Sequence, residues 1–215
     1  MALHFSGVVL DLDGLLLDTE RLQFEVGPAV LKRLGYHLAP AFFRTLVGID
    51  RTESARLINL ELGAIIDGVE LDRVWNEAMD DRMRDGIPLR PGVHDFLDAL
   101  DLHKLPRAIA TNSVTARAEW KLEHAGLLKR IHAVVGVDKV ARGKPAPDVY
   151  VAAAKTLGLE PSQCIALDDS DLGVRAALAA GIGEVIQIPD LVMSKDLSAH
   201  HQVESLYDAR TVMCI

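Results

Sequence analysis

Cysteine is nearly absent from this 215-residue chain. The two that occur, Cys164 and Cys214, are too few and too far apart for a disulfide framework or a thiolate zinc site, which points to a reducing compartment. Cys164 lies in an apolar run and reads as core. Basic residues are also in the minority, with 23 Lys plus Arg against 31 Asp plus Glu and a net charge of −8. Such a balance argues against a general nucleic-acid or anionic-membrane surface, so any phosphate must be met by local groups. No apolar run reaches the length of a membrane span. The first residues, "MALHFSG", lack the basic region that leads into a signal-peptide core. Internal repeats and low-complexity segments are missing as well. The expectation is a soluble, cytoplasmic monomer whose partner is a small molecule, with no nucleic acid and no membrane.

Hydrophobic residues make up 49% of the chain, ample for a buried core, and the length suits one large domain or a domain with a sizeable insertion. After Gly7, the run Val8, Val9, Leu10 reads as a short strand buried on both faces. Further strands are expected at "RAIAT" (107–111), "AVVGV" (133–137), "CIALD" (164–168) and "EVIQI" (184–188). Between them lie the helical patterns "TARAEWKLEHAG", "APDVYVAAAKTLG" and "DLGVRAALAAG". Each closes on a glycine, Gly126, Gly158 or Gly181, where a left-handed cap is expected. Alternation of this kind predicts right-handed βαβ units in a Rossmann-like parallel sheet covered by helices, an α/β fold.

The first interval breaks that rhythm, because about 95 residues separate the first strand from the second where a crossover needs only a dozen or more. Within it "ERLQFEVGPAVLKRLG", "RTESARLINLELG" and "VELDRVWNEAMDDRMRDG" read as helices. The reading is a core domain of residues 1–16 and 87–215 with an inserted helical cap domain at 17–86, leaving the chain beside Asp13 and expected to sit above it.

The first strand ends in "DLDG", with Asp11 and Asp13 one residue apart. Carboxylates there are costly unless compensated: they cap the turn, or they bind a cation or do chemistry. In an open parallel sheet ligands bind beyond the carboxyl ends of the strands, so the other strand ends bear on the choice. They carry Thr111, Asn112 and Ser113, then Lys144 in "ARGKPAPD", then Asp168 and Asp169 in "LDDSDLG". Singly, each has an ordinary use as a turn residue, helix cap or solvated lysine. Jointly they place four carboxylates, a hydroxyl with backbone amides, and one lysine in a single crevice. Mutual repulsion of that size calls for a hard cation, and Mg²⁺ suits an all-oxygen site.

With those residues in view, "DLDGLLLDTE", "ATNS", "GKPAPDVY" and "LDDSDLGVRAALAAG" resemble, in order, the four motifs of the haloacid dehalogenase superfamily in its phosphatase and β-phosphoglucomutase-like branch. "DLDGLLLDTERL" and "IPDLVMSKDL" look most like the group containing pseudouridine-5′-phosphatase. The resemblance implies a Mg²⁺-dependent phosphatase of a small phosphate ester. Asp11 would be the nucleophile, forming a phosphoaspartyl intermediate, and Asp13 the general acid and then the base. The metal would be held by the Asp11 side chain, the Asp13 backbone carbonyl and Asp169, with Asp168 a direct or water-mediated partner. Thr111, the Asn112 amide and Ser113 would hold phosphoryl oxygens while Lys144 neutralises charge.

A dehalogenase has no alcohol to protonate and its relatives typically lack the second aspartate, so Asp13 argues against that reaction. In the inserted segment, Arg51 of "LVGIDRTES" aligns with an arginine that meets a second phosphate in the mutase; capped-helix and solvated readings of this stretch also stand. Gln23 and Val47 stand where the mutase has a histidine and a lysine, which favours transfer to water. The rivals are a phosphomutase and, from outside enzymes, a receiver-type phospho-signalling domain. A receiver is only about half this length and carries its acidic pair before the phosphorylated aspartate. Trp75 and Trp120 read as core or cap-interface residues, and His200 and His201 as surface.

Overall fold

The computed structural model describes residues 3–46, 51–191, 194 and 198–215. Helices and strands follow in the order β1 (Gly7–Leu10), α1 (Thr19–Arg33), α2 (Pro40–Phe43), α3 (Arg51–Leu62), α4 (Gly68–Arg84), α5 (Val93–Leu102), β2 (Arg107–Ala110), α6 (Thr115–His124), β3 (Ala133–Val135), α7 (Asp148–Thr156), β4 (Cys164–Asp168), α8 (Asp171–Ala179), β5 (Glu184–Gln187), β6 (His201–Gln202) and α9 (Leu206–Met213). They form two compact units, Met1–Asp18 with Pro88–Ile215, and Thr19–Ile87. No helix among the described residues is long and apolar enough to cross a membrane.

The larger unit is built on a parallel sheet of order β3-β2-β1-β4-β5-β6. Its central strand β1 pairs on one side with β2, Val8 opposite Arg107, and on the other with β4, Val8 opposite Ile165. Val8, Val9 and Leu10 are fully buried, as an unbroken apolar run requires when helices cover both faces. One face packs Val9, Ala108, Ala110 and Ala166 against Val149, Tyr150, Ala153 and Ala154 of α7 and Ala176 and Ala177 of α8. Small residues on both partners let these helices lie close to the sheet. Gly126, Gly158 and Gly181 have φ of 72°, 73° and 74°, a left-handed conformation that ends α6, α7 and α8 at little steric cost.

Two details depart from the sequence reading. "AVVGV" stays extended only through Val135, after which Val137–Lys139 forms a 3₁₀ turn. The short edge strand β6 and the final helix α9 are additional. His200 and His201 are exposed as expected, yet His200 Nδ1 accepts from the Val185 N–H at 3.0 Å and His201 pairs with Glu184 at 2.7 Å. These side chains satisfy polar groups at the sheet edge, where an unpaired strand would otherwise offer a template for association.

The smaller unit, Thr19–Ile87, is helical. Val26, Val30, Leu31, Phe43, Ile58, Leu71, Val74 and Ala78 form its own core, with Trp75 packed against it. Phe43 is 1% exposed and its ring lies 6.2 Å from that of Trp75. Burying such a ring contributes roughly 1.5–3 kcal/mol. Gly27 leaves room for the Phe43 ring, since a Cβ there would come within 2.5 Å of it. α4 starts on Asp67, whose carboxylate accepts from the Val69 and Glu70 N–H groups.

Candidate active site

Sheet register brings the first two carboxylates together. Leu10 lies opposite Leu167 in the parallel β1–β4 pair, so the residues that follow, Asp11 and Asp168, leave the sheet side by side. Asp11 N–H donates to Leu167 O at 3.0 Å. Asp169 joins them, and the three offer oxygens within 4.8 Å of one another. Lys144 reaches this group from the loop before α7. Its ammonium donates to Asp11 Oδ1 at 2.5 Å and to Asp168 Oδ2 at 2.7 Å, with only 4% of the side chain exposed.

Asp168 is completely buried and richly supplied with donors. Tyr150 Oη donates to Oδ2 at 2.6 Å, while the Ser170 N–H and hydroxyl donate to Oδ1 at 2.9 and 2.8 Å. Burial and the Asp168 charge push the Tyr150 phenol well above its ordinary value, so it stays a donor. Burial likewise pushes Asp11 up to about 7, against the opposing pull of the Lys144 ammonium and with a further rise from Asp168. Burial acts to lower Lys144, yet Asp11 and Asp168 outweigh it and hold the ammonium well above the usual lysine range. One ammonium among three carboxylates leaves an excess of negative charge that burial makes costly. A hard divalent cation fits that excess and that oxygen-only donor set.

Asn112 supports Lys144 through its side chain, beyond the backbone amide expected from sequence. Its Oδ1 accepts from the Lys144 N–H at 2.8 Å and its Nδ2 donates to Lys144 O at 3.3 Å. Gly143 permits the approach, because a Cβ there would stand 2.6 Å from Asn112 Oδ1. Thr111 is 2% exposed, and its hydroxyl accepts from the Ser113 N–H at 3.1 Å. Ser113 Oγ turns to Asp13 Oδ2 at 3.2 Å. Asp13 is not one of the three clustered carboxylates; instead Lys121 of α6 meets both its oxygens, at 2.8 and 2.7 Å. Sequence reasoning missed Lys121, since a single lysine inside "AEWKLEH" carries no signal that sets it apart from a solvated one.

Of the remaining expected residues, Arg51 opens α3 but its side chain falls outside the described residues, as does Val47. Gln23 is exposed on α1. Part of "IPDLVMSKDL", namely Val192, Met193 and Lys195 to Leu197, also lies outside them.

Two glycines leave space for the acidic cluster. Gly14 has φ of 86° and its missing Cβ would collide with the Asp169 carboxylate. A Cβ on Gly173 would overlap Asp168. Gly173→Ala is expected to displace that carboxylate from Lys144, Tyr150 and Ser170 together, destabilising the protein by about 3–5 kcal/mol. Urea unfolding of the variant beside wild type measures the loss; a change below about 1 kcal/mol would show that α8 moves away without penalty.

Residues 8–186 match the family model described as haloacid dehalogenase-like hydrolase. The chain is 34% identical over 183 residues to fructose-1-phosphate phosphatase YqaB of Escherichia coli (strain K12), covering 85% of this chain and 96% of that protein. Over 204 residues it is 33% identical to a probable pseudouridine-5′-phosphatase of Drosophila melanogaster, covering 89% and 85%. It is also 33% identical over 210 residues to a bifunctional riboflavin kinase/FMN phosphatase of Arabidopsis thaliana, where it spans 95% of its own length but only 54% of the relative's. Among solved structures, a HAD family hydrolase of Deinococcus radiodurans R1 with bound phosphate and sodium superposes with a TM-score of 0.82 at 27% identity, covering 99% of this chain and 96% of that one.

Proposed function

The chain belongs to the haloacid dehalogenase-like hydrolases and is a phosphoric monoester hydrolase, and from that premise we propose a Mg²⁺-dependent phosphatase of a small phosphorylated metabolite that works through a phosphoaspartyl intermediate on Asp11. The observation that carries the reading is the buried Asp11 carboxylate, paired with Lys144 and set beside Asp168 and Asp169. Asp11 attacks phosphorus, the bond from phosphorus to the ester oxygen breaks, and its electron pair leaves on that oxygen, which takes a proton from Asp13. Water then attacks phosphorus, Asp13 takes its proton, and the Asp11 carboxylate is released with inorganic phosphate. Thr111 and the Asn112 amide hold the phosphoryl oxygens, while the Ser113 hydroxyl, expected there from sequence, is turned to Asp13; Lys144 stabilises the charge that develops on the phosphoryl group.

Asp11, Asp169 and the Asp13 backbone carbonyl are the groups assigned to the metal, which when bound screens the nucleophile from the phosphate dianion. Asp168 has both oxygens engaged by Lys144, Tyr150 and Ser170, which supports a water-mediated contact and a main role in orienting Lys144. We assign substrate choice to the helical unit, with Arg51 as a candidate contact. The named activities of the relatives, on fructose 1-phosphate and on pseudouridine 5′-phosphate, point to sugar phosphates and nucleotide monophosphates as the class.

The test is phosphate release from a panel of sugar phosphates, nucleoside monophosphates and pseudouridine monophosphate, with Mg²⁺ and with chelator, while sugar products are checked for isomers. Release that depends on Mg²⁺ and stops in chelator is the expected result. Isomerised sugar phosphate without release would make the protein a mutase and overturn the weight given to Gln23 and Val47.

A further inference from the structure

Lys121 has no part in the chemistry above, yet it is one of two lysines built into the site. Lys144 faces Asp11 and Asp168, whereas Lys121 faces Asp13, meeting its oxygens at 2.8 and 2.7 Å and Ser113 Oγ at 3.3 Å. Lys121 stands on α6 three residues beyond Ala118 and next to Leu122, both fully buried. Only 11% of the Lys121 side chain is exposed, against 30% for Asp13. An unconstrained lysine keeps its ammonium in water; this one is held inward on a carboxylate.

Asp13 needs such a constraint. It stands at the start of a turn, bridged to Leu17 where the Gly14 N–H donates to Leu17 O at 2.8 Å, and a partly exposed aspartate there has several staggered rotamers open to it. Contact with both carboxylate oxygens by Lys121, together with the Ser113 hydroxyl at 3.2 Å, selects one.

We infer that Lys121 is a positioning residue that, with Ser113, fixes the Asp13 carboxylate in the orientation from which it serves the ester oxygen and then the attacking water. The inference rests on the reading of Asp13 as acid and base. Its size follows from the sensitivity of catalysis to placement, where a shift of about 1 Å costs on the order of 100-fold.

The experiment compares Lys121→Met, Lys121→Arg and Asp13→Asn with wild type in Mg²⁺, using an alkyl phosphate from the active panel and p-nitrophenyl phosphate. The aryl ester has a leaving group that departs without a proton, so its transfer to Asp11 does not need the acid. Lys121→Met is expected to lower kcat/KM for the alkyl ester at least about 10-fold more than for the aryl ester. For the aryl ester, kcat falls because water attack still needs the base, and nitrophenolate appears as a first-turnover burst. Lys121→Arg, which keeps the charge and several donors, restores most of the alkyl activity. Equal losses in kcat/KM for both esters would overturn the proposal, since they would mean that Lys121 meets the substrate phosphate or merely supports the fold. No loss for either would overturn it too. If Asp13→Asn itself shows no preference between the esters, the acid role of Asp13 fails, a result distinct from a failure of Lys121 alone.

Discussion

Replacing Asp11 by asparagine is expected to lower phosphate release by at least about 10⁴-fold while leaving the fold intact, because the amide matches the carboxylate in shape but is a poor nucleophile. Steady-state release with and without Mg²⁺, alongside circular dichroism, makes the measurement, and retained turnover would remove Asp11 from the mechanism. Stability should move the other way. Burial raises the Asp11 carboxyl to about 7 in the folded protein, above its unfolded value of about 4. A raised group contributes stability that is complete below the unfolded value and is lost as pH rises through the folded one. In chelator, wild type should therefore lose this contribution between about pH 4 and pH 7, as the buried carboxylate ionises beside Asp168 and Asp169. The asparagine variant has no such group, so at pH 8 without metal it should unfold at a temperature equal to or above that of wild type.

Lys144→Met is expected to lower stability and turnover together. The side chain is 4% exposed and donates to two buried carboxylates, so methionine keeps the volume but removes the positive charge among them. Leaving buried charge uncompensated costs about 3–5 kcal/mol, and turnover should fall by on the order of 10³-fold with the loss of charge stabilisation. The raised Lys144 value means that its contribution is complete throughout the neutral range and disappears only as pH climbs past the lysine region. Urea unfolding in chelator between pH 6 and 9 should accordingly show a deficit across the whole range. A deficit under about 1 kcal/mol would mean that solvent or relaxation already compensates the cluster.

The parallel sheet was readable because most of its strands are short, largely apolar runs followed by polar residues at their carboxyl ends, and because Gly126, Gly158 and Gly181 mark where the helices stop. The same regularity explains why Asp11, Lys144, Asp168 and Asp169 could be placed near one another: residues following adjacent parallel strands share an end of the sheet. β6 escaped because two exposed residues have no period, and its pairing depends on β5 being present. Lys121 and the Asn112 side chain escaped for a different reason. Their importance lies in where the helix and loop carry them, and a lysine or asparagine looks the same in sequence whether it faces water or a buried carboxylate.

The order of strands also has a consequence for how the catalytic end is assembled in time. β1 is made first, but its two neighbours are β2 and β4, so Val8 waits for Arg107 and then Ile165. Distant pairings of this kind slow folding, since chain must be closed into large loops before any contact rewards it. A nascent chain that has emerged only through the helical unit Thr19–Ile87 holds Asp11 just past a strand that has no neighbour yet. The Asp11 carboxylate can meet Lys144 only once the loop after β3 is made, and Asp168 only once β4 docks, so the acidic cluster is completed late in folding.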